Sequence, residues 1–159
     1  MIDCLLIEGG PGYVPPRMYD CQLVLEPTVD SLRISREAVR RTLTSIDPEC
    51  IELAAILTDE VVANAIKHGE PPIVLALGGN DDQIEVTVTD CGADLPVLRT
   101  PEPAAQTGRG MRIVDVLSDE WGVEELPRGK RIWFRLDLPR PGGGHVERAH
   151  QVHGRERSP

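Results

Sequence analysis

Hydrophobic residues recur along the chain in two patterns, one that alternates with polar residues and one that follows the turn of a helix. Alternation is clearest over 83–90, where Ile84, Val86 and Val88 alternate with polar residues, so one face of this strand is predicted to be buried. The alternating and short apolar segments predict strands at 22–26, 73–79, 83–90, 121–126 and 130–139. The helical pattern predicts helices at 27–46, from 47 to about 67, and from about 110 to 118.

The residues at the ends of these helices indicate where each one begins or stops. Thr28 or Asp30 can cap the first helix. Pro48 suits the first turn of the second helix, and Gly69 stops that helix. The first helix is predicted to be amphipathic. Its apolar face comprises Val29, Leu32, Val39 and Leu43.

The order of the elements limits the fold. The second and third strands form one hairpin and the last two strands form another, so both pairs are antiparallel. The helices then cover one side of the sheet. The predicted fold is an α/β (α+β) two-layer sandwich, in which a mixed, mostly antiparallel sheet carries helices on one face.

The ends of the chain and one internal segment have no periodic pattern. Residues 1–20 are rich in Gly and Pro and are predicted to be a flexible leader, and 140–159 are predicted to be a disordered tail. A single domain is expected over 21–139. Within it, 91–107 form a long loop of the kind that often acts as a lid.

Charge and composition exclude some classes of function. A formal net charge of −9 argues against direct binding to nucleic acid or to a membrane surface, since both need a basic face. No apolar run reaches the roughly 20 residues of a membrane span, and the first residues lack the basic start of a signal peptide. We therefore expect a cytoplasmic protein. Its scattered cysteines are expected to be free thiols.

A polar stripe lies along the mostly apolar second helix. Glu60, Asn64 and His68 are spaced four residues apart, so they share one face. Such a stripe either faces solvent or places a carboxylate and an amide in a cleft. Both groups offer oxygen atoms, which suit Mg²⁺.

Two glycine-containing segments follow this helix in the sequence. Asp90 and Gly92 lie at the end of a buried strand, where an aspartate can accept a hydrogen bond from an exocyclic amine and a glycine lets a flat ring approach the backbone. Gly108, Arg109 and Gly110 open the third helix, whose free N–H groups and dipole favour an anion, with Arg109 adding a positive charge. Each segment alone could be an ordinary turn or helix cap. In this order they indicate a nucleotide site.

Four segments carry a resemblance to a known family: "DEVVANAIKHG", "VTDCGADLP", "TGRGMRIVDVLSDEWGV" and "GKRIWFRLDLP". They resemble the N, G1 and G2 boxes and the last hairpin of the Bergerat-fold (GHKL, HATPase) ATP-binding domain. The most similar subgroup is the small anti-sigma factor serine/threonine kinases of bacteria. The resemblance covers roughly residues 22–139.

The resemblance implies roles for residues of the second helix. Glu60 would be the general base that activates the attacking hydroxyl, and Asn64 would coordinate Mg²⁺. His68, just beyond the N box, is assigned only to the rim of the cleft.

The resemblance also implies how ATP would be held. Asp90 would bind the adenine amino group, with Gly92 beside the ring. Gly108 and Gly110 would let the loop and the helix start wrap around the phosphates, with Arg109 between them.

The biological role that the resemblance implies is regulation of transcription. Such a protein sequesters a sigma factor and uses Mg-ATP to phosphorylate a serine or threonine of a STAS-type anti-anti-sigma partner. Many members form homodimers, and the arginine-rich first helix is a candidate protein-binding face.

Two departures from the family pattern motivate an alternative. Asp94 replaces the second glycine of the G1 box, and Arg112 replaces the last glycine of the G2 box. The alternative is a non-catalytic module that sequesters a partner with or without bound ATP. A detached histidine-kinase catalytic domain is a third reading, but the chain carries no helical hairpin with a phosphoacceptor histidine.

Overall fold

A computed structural model describes residues 21–92 and 109–139 of the protein. Its eight elements follow the predicted order. The first four are β1 (Cys21–Leu25), α1 (Asp30–Thr42), α2 (Pro48–His68) and β2 (Ile73–Gly79). The last four are β3 (Gln83–Asp90), α3 (Arg109–Leu117), β4 (Glu120–Glu125) and β5 (Lys130–Asp137).

The five strands form one open sheet in the order β1-β2-β3-β5-β4. Every pairing in this described sheet is antiparallel, including the pairing of the central strands β3 and β5, where Val86 lies opposite Phe134. The predicted fold class, a sandwich of helices on a mostly antiparallel sheet, is therefore confirmed.

One hydrophobic core lies between the sheet and the helices. Each of the three central strands turns alternate apolar residues toward the helices, as in Leu75, Val86 and Phe134, all of which are buried. The helices supply buried partners such as Val39 and Leu57 to the same core. The three helices thus cover one face of the sheet, as predicted.

The opposite face of the sheet is also partly covered, which the alternating pattern did not predict. Glu85 points away from the core and is only 1% exposed. Arg135, its neighbour on β5, donates from Nε to a Glu85 carboxylate oxygen at 2.7 Å and from a terminal nitrogen to Glu120 at 2.9 Å. Its guanidinium also lies 4.8 Å from the centre of the Trp133 ring. Long side chains of β5 therefore cover this central strand.

The helix ends agree with the prediction for α2 and differ for α1. Asp47 caps α2 by accepting a 3.0 Å hydrogen bond from the N–H of Glu49, and Pro48 occupies the first turn. The cap residue of α1 is Val29, without a side-chain hydrogen bond, so the predicted cap at Thr28 or Asp30 is wrong. Val29 is 79% exposed because it precedes the first turn and does not join the apolar face.

Ion pairs join α1 to α2. Arg36 donates to Asp59 at 2.8 Å, and Arg40 makes a two-pronged contact of 2.7 Å with Glu52. Within α1, Arg33 and Arg41 both pair with Glu37. The arginines of this helix therefore hold the two helices together as well as facing outward.

Several predictions concern residues outside the described part of the chain. These are the leader 1–20, most of the loop 91–107 and the tail 140–159. In the described residues the cysteines Cys21 and Cys91 are free thiols, as predicted, and Cys50 is buried. None of the helices in 21–92 and 109–139 has the length and apolar character needed to cross a membrane.

Candidate nucleotide site

Asp90 is a buried carboxylate at the end of β3, on the sheet face that carries the core. It lies opposite Lys130, the first residue of β5, and is 1% exposed. Its Oδ1 accepts two hydrogen bonds, from the N–H of Gly92 at 2.8 Å and from Nζ of Lys130 at 3.0 Å. The Lys130 side chain is itself fully buried.

The second oxygen of this carboxylate has no partner within 21–92 and 109–139. Oδ2 of Asp90 is buried and accepts no hydrogen bond from any residue that the structure describes. An acceptor removed from water without a donor destabilises the fold by about 1–3 kcal/mol. A buried orphan oxygen beside satisfied neighbours therefore indicates a place for a ligand that donates an N–H or O–H group.

Glycines surround the Asp90 carboxylate at the ends of three elements. A Cβ at Gly69 would lie 2.6 Å from Cγ of Asp90, and a Cβ at Gly92 would lie 3.0 Å from its Oδ1. Gly129 has a φ of +95°, and a Cβ there would overlap the main-chain oxygen of Asp90. A side chain at Gly69 or Gly92 would collide with the carboxylate, and one at Gly129 would collide with the backbone of Asp90, so glycine lets all three segments pack closely around this residue.

The Glu60 carboxylate, carried by α2, lies against the first turn of α3. The nearest atom to a Cβ placed on Gly110 would be Oε2 of Glu60, closely enough to overlap. Glu60 is only partly buried, and Gly110 stands in the first turn of α3. The carboxylate of α2 and the N-terminal end of α3 therefore meet without an intervening side chain, a contact that the sequence did not predict.

The amino-acid sequence that forms these elements matches the model of a known family. The family model of the histidine kinase-like ATPase domain matches residues 25–136, from the end of β1 to the end of β5. The chain belongs to this family. It is an ATP-binding domain. Asp90, whose Oδ2 has no partner among the described residues, is the residue predicted to bind the adenine amino group. No curated protein gave a significant match to the chain.

Asn64 lies one helical turn beyond Glu60 in this ATPase domain, and its amide nitrogen also lacks a partner among the described residues. Nδ2 of Asn64 is buried and has no hydrogen bond to the described residues. A phosphate oxygen would satisfy this donor, and an amide oxygen is a ligand type that Mg²⁺ accepts. Asn64 therefore fits an Mg²⁺ ion only through its side-chain oxygen, and its unpartnered Nδ2, a donor, fits a phosphate oxygen instead. In the described ranges no cluster of three or more His, Cys, Asp or Glu residues could hold a metal alone.

Asp59 adds a second acidic group beside Glu60. Burial raises the pKa of the Asp59 carboxyl, the charge and hydrogen bond of Arg36 act in the opposite direction, and the negative charge of Glu60 raises it further. Its Oδ1 is buried and unpartnered in the described structure. The ion pair with Arg36 thus holds the Asp59 carboxylate toward α1, whereas the Glu60 carboxylate lies against α3.

Some predicted site residues are only partly placed. Gly108 and the side chain of Arg109 lie outside the described part of the structure. His68 ends α2 with an exposed side chain, while its main-chain oxygen would be 3.0 Å from a Cβ on Gly92. The rim position predicted for His68 is consistent with this exposure. Arg112 is exposed on α3.

Sequence reasoning missed three residues that contact Asp90: Lys130, Gly69 and Gly129. The helical pattern marks Gly69 only as the end of a helix. A signal for Lys130 was present, because Ile132, Phe134 and Leu136 alternate inward along β5 and the same alternation places Lys130 on the buried face. A lysine in such a position needs a carboxylate partner.

Proposed function

We propose that this ATPase domain is a protein serine/threonine kinase that phosphorylates a STAS-type anti-anti-sigma partner with Mg-ATP and sequesters a sigma factor. The observation that carries the proposal is the contact between the Glu60 carboxylate and Gly110 at the beginning of α3. A helix N-terminus favours phosphate. A carboxylate at that place is positioned to accept the proton of a hydroxyl that attacks the phosphate.

Each described site residue has a part in this reaction. Oδ2 of Asp90 accepts a hydrogen bond from the amino group of the base, and Gly92, whose backbone packs against Asp90, lies beside the ring. The amide of Asn64 contacts the phosphate or its metal ion. Mg²⁺, when bound, neutralises charge on the phosphates. These contacts fix the nucleotide relative to Glu60.

The transfer step itself is a substitution at phosphorus. The serine or threonine oxygen of the partner forms a bond to the terminal phosphorus of ATP as the bond to the bridging oxygen breaks and ADP leaves. Glu60 takes the hydroxyl proton. Most of the rate acceleration in such a reaction comes from positioning and charge stabilisation, and a positioned base adds typically about 10²–10⁴-fold.

Substitution of Glu60 tests the kinase proposal. Purified STAS-domain proteins are incubated with labelled Mg-ATP and the wild type, Glu60→Gln or Glu49→Gln. Glu49 is an exposed acid at the other end of α2 and serves as the matched control. We expect Glu60→Gln to lower phosphoserine or phosphothreonine formation by about 10²–10⁴-fold with ATP affinity retained. Transfer at the wild-type rate by Glu60→Gln would refute the role of Glu60.

The second candidate function is a non-catalytic module that sequesters its partner. Asp94 and Arg112, which replace glycines of the family boxes, favour this alternative. Arg112 is exposed on α3 near the proposed phosphate position. Binding of a partner without any phosphorylation under saturating Mg-ATP would support the module, and detection of phosphoserine or phosphothreonine would exclude it.

A further inference from the structure

Lys130 is a lysine in a place where lysine is costly. Its side chain is fully buried at the first position of β5, on the face that carries Ile132 and Phe134. Transfer of an ammonium from water to a protein interior is strongly unfavourable unless the charge is paired and its donors are used. An ammonium has three N–H donors, and in the described structure Nζ of Lys130 has one partner, Oδ1 of Asp90.

Asp90 and Lys130 each keep hydrogen-bonding groups that have no partner among the described residues. Oδ1 of Asp90 is already occupied by the N–H of Gly92 and by Lys130, so the acceptor left over is Oδ2. The donors left over are the remaining N–H groups of Lys130. A ligand that completes both must present a donor next to an acceptor.

We propose that Lys130, together with Asp90, recognises the adenine base of the bound nucleotide through hydrogen bonds. On its Watson–Crick edge, adenine presents a 6-amino donor beside the ring nitrogen N1, which is an acceptor. The amino group donates to Oδ2 of Asp90 and Nζ of Lys130 donates to N1. This assignment rests on the proposed role of Asp90 as the residue that binds the adenine amino group. It makes Lys130 a specificity-determining residue that recognises the edge of the base.

A purely structural role for the pair would have different consequences. Replacing a buried ion pair by apolar residues is often neutral or stabilising, so the pair is weak evidence for a contribution to stability. A structural lysine would change the stability of the domain but not its preference between two bases. The preference between bases is therefore the quantity to measure.

The experiment compares ADP with 1-deaza-ADP, in which a carbon atom replaces N1 and the 6-amino group remains. Calorimetry gives both affinities for the wild type, Lys130→Met and Lys67→Met. Lys67 is the other lysine of the chain and is exposed on α2, so it controls for loss of a positive charge. Circular dichroism shows whether each variant is folded. Lys130→Gln, which retains an N–H donor, serves as a second variant if Lys130→Met does not fold.

We expect the wild type and Lys67→Met to bind 1-deaza-ADP about tenfold to a hundredfold more weakly than ADP, as for loss of one charged hydrogen bond. Lys130→Met should bind the two equally, and Lys130→Gln should lose part of the preference. Equal binding of both nucleotides by the wild type would overturn the role of Lys130, as would an unchanged preference in a folded Lys130 variant. Absence of ADP binding by the wild type would overturn the nucleotide site as a whole.

Discussion

Because Gly110 has no side chain, the Glu60 carboxylate can approach the first turn of α3. A Cβ there would meet Oε2 of Glu60, the far end of a flexible side chain, so the fold can accommodate alanine by moving the carboxylate. We therefore expect Gly110→Ala to lower phosphoryl transfer at least about tenfold, because displacement of catalytic groups by about an ångström is costly. The melting temperature should change little. Transfer assays and thermal unfolding check both parts.

The Glu60→Gln background provides the control for this prediction. If Gly110→Ala acts by moving the carboxylate, it should cause little further loss of transfer when Glu60 is already glutamine. A loss of the same size in both backgrounds would contradict the proposed displacement of Glu60.

Gly129 supports the site through the backbone. Its φ of +95° and its contact with the main-chain oxygen of Asp90 leave no room for a Cβ. We expect Gly129→Ala to lower the free energy of unfolding by about 2 kcal/mol or more, measured by urea denaturation. Gly79→Ala is the control, because its Cβ would be 3.2 Å from the oxygen of Gln83 at an ordinary φ. An equal loss in the two variants would contradict this account.

At the scale of elements, the contact between α1 and α2 contains a pH-sensitive group. The pKa of Asp59 is raised, mainly by burial. A raised pKa in the folded state means that the contribution of Asp59 to stability is fully present below its unfolded pKa. That contribution is lost as the pH rises through the folded pKa.

Comparison with Asp59→Asn should reveal this group. As the pH falls from 7 toward 4, we expect the wild type to gain stability relative to Asp59→Asn, since only the wild type has a carboxyl to protonate there. Urea unfolding at several pH values measures the difference. A difference that is constant, or that moves in favour of the variant, would show that the pKa is not raised.

The elements themselves could largely be predicted from the sequence, because each has a clear pattern and clear stops. The strands β2 and β3 were predicted to the residue, and Pro48 and Gly69 bound α2 as expected. The predicted cap of α1 was wrong because the residue between the two candidates, Val29, caps the helix without a side-chain hydrogen bond, and a search for capping side chains passes over it. Glu85 was expected on an exposed face, but its burial depends on Arg135, a residue fifty positions away on another strand.

In the candidate site, too, local sequence predicts some features, while others depend on residues far apart in the chain. Glu60, Asn64 and Asp90 were predicted as site residues from local spacing and residue type. The pairing of Asp90 with Lys130 depends on the register between β3 and β5, which no local pattern fixes. Long-range register is therefore the part of the site that the sequence did not reveal.

At the scale of the whole molecule, one core joins the helices to every central strand. Leu57 on α2 is fully buried in it, so Leu57→Ala should lower the free energy of unfolding by about 2–5 kcal/mol. The unfolding transitions seen by tryptophan fluorescence, from Trp121 and Trp133, and by circular dichroism should shift together.

The neighbouring residue provides a matched control for the core. Ile56 is 50% exposed, so Ile56→Ala should cost less than about 1.5 kcal/mol. A fluorescence transition that stays in place while the circular dichroism transition moves would contradict a single cooperative core.

The central claim is that ATP binds to Asp90, to Asn64 and at the start of α3, and calorimetric titration with ATP tests it most directly. The wild type, Asp90→Asn and Asn64→Ala are titrated with and without Mg²⁺, after circular dichroism has shown that each is folded. We predict saturable one-site binding that Mg²⁺ strengthens and that each substitution weakens at least about tenfold. Absence of saturable binding at millimolar ATP, or equal affinity in folded Asp90→Asn, would contradict the account.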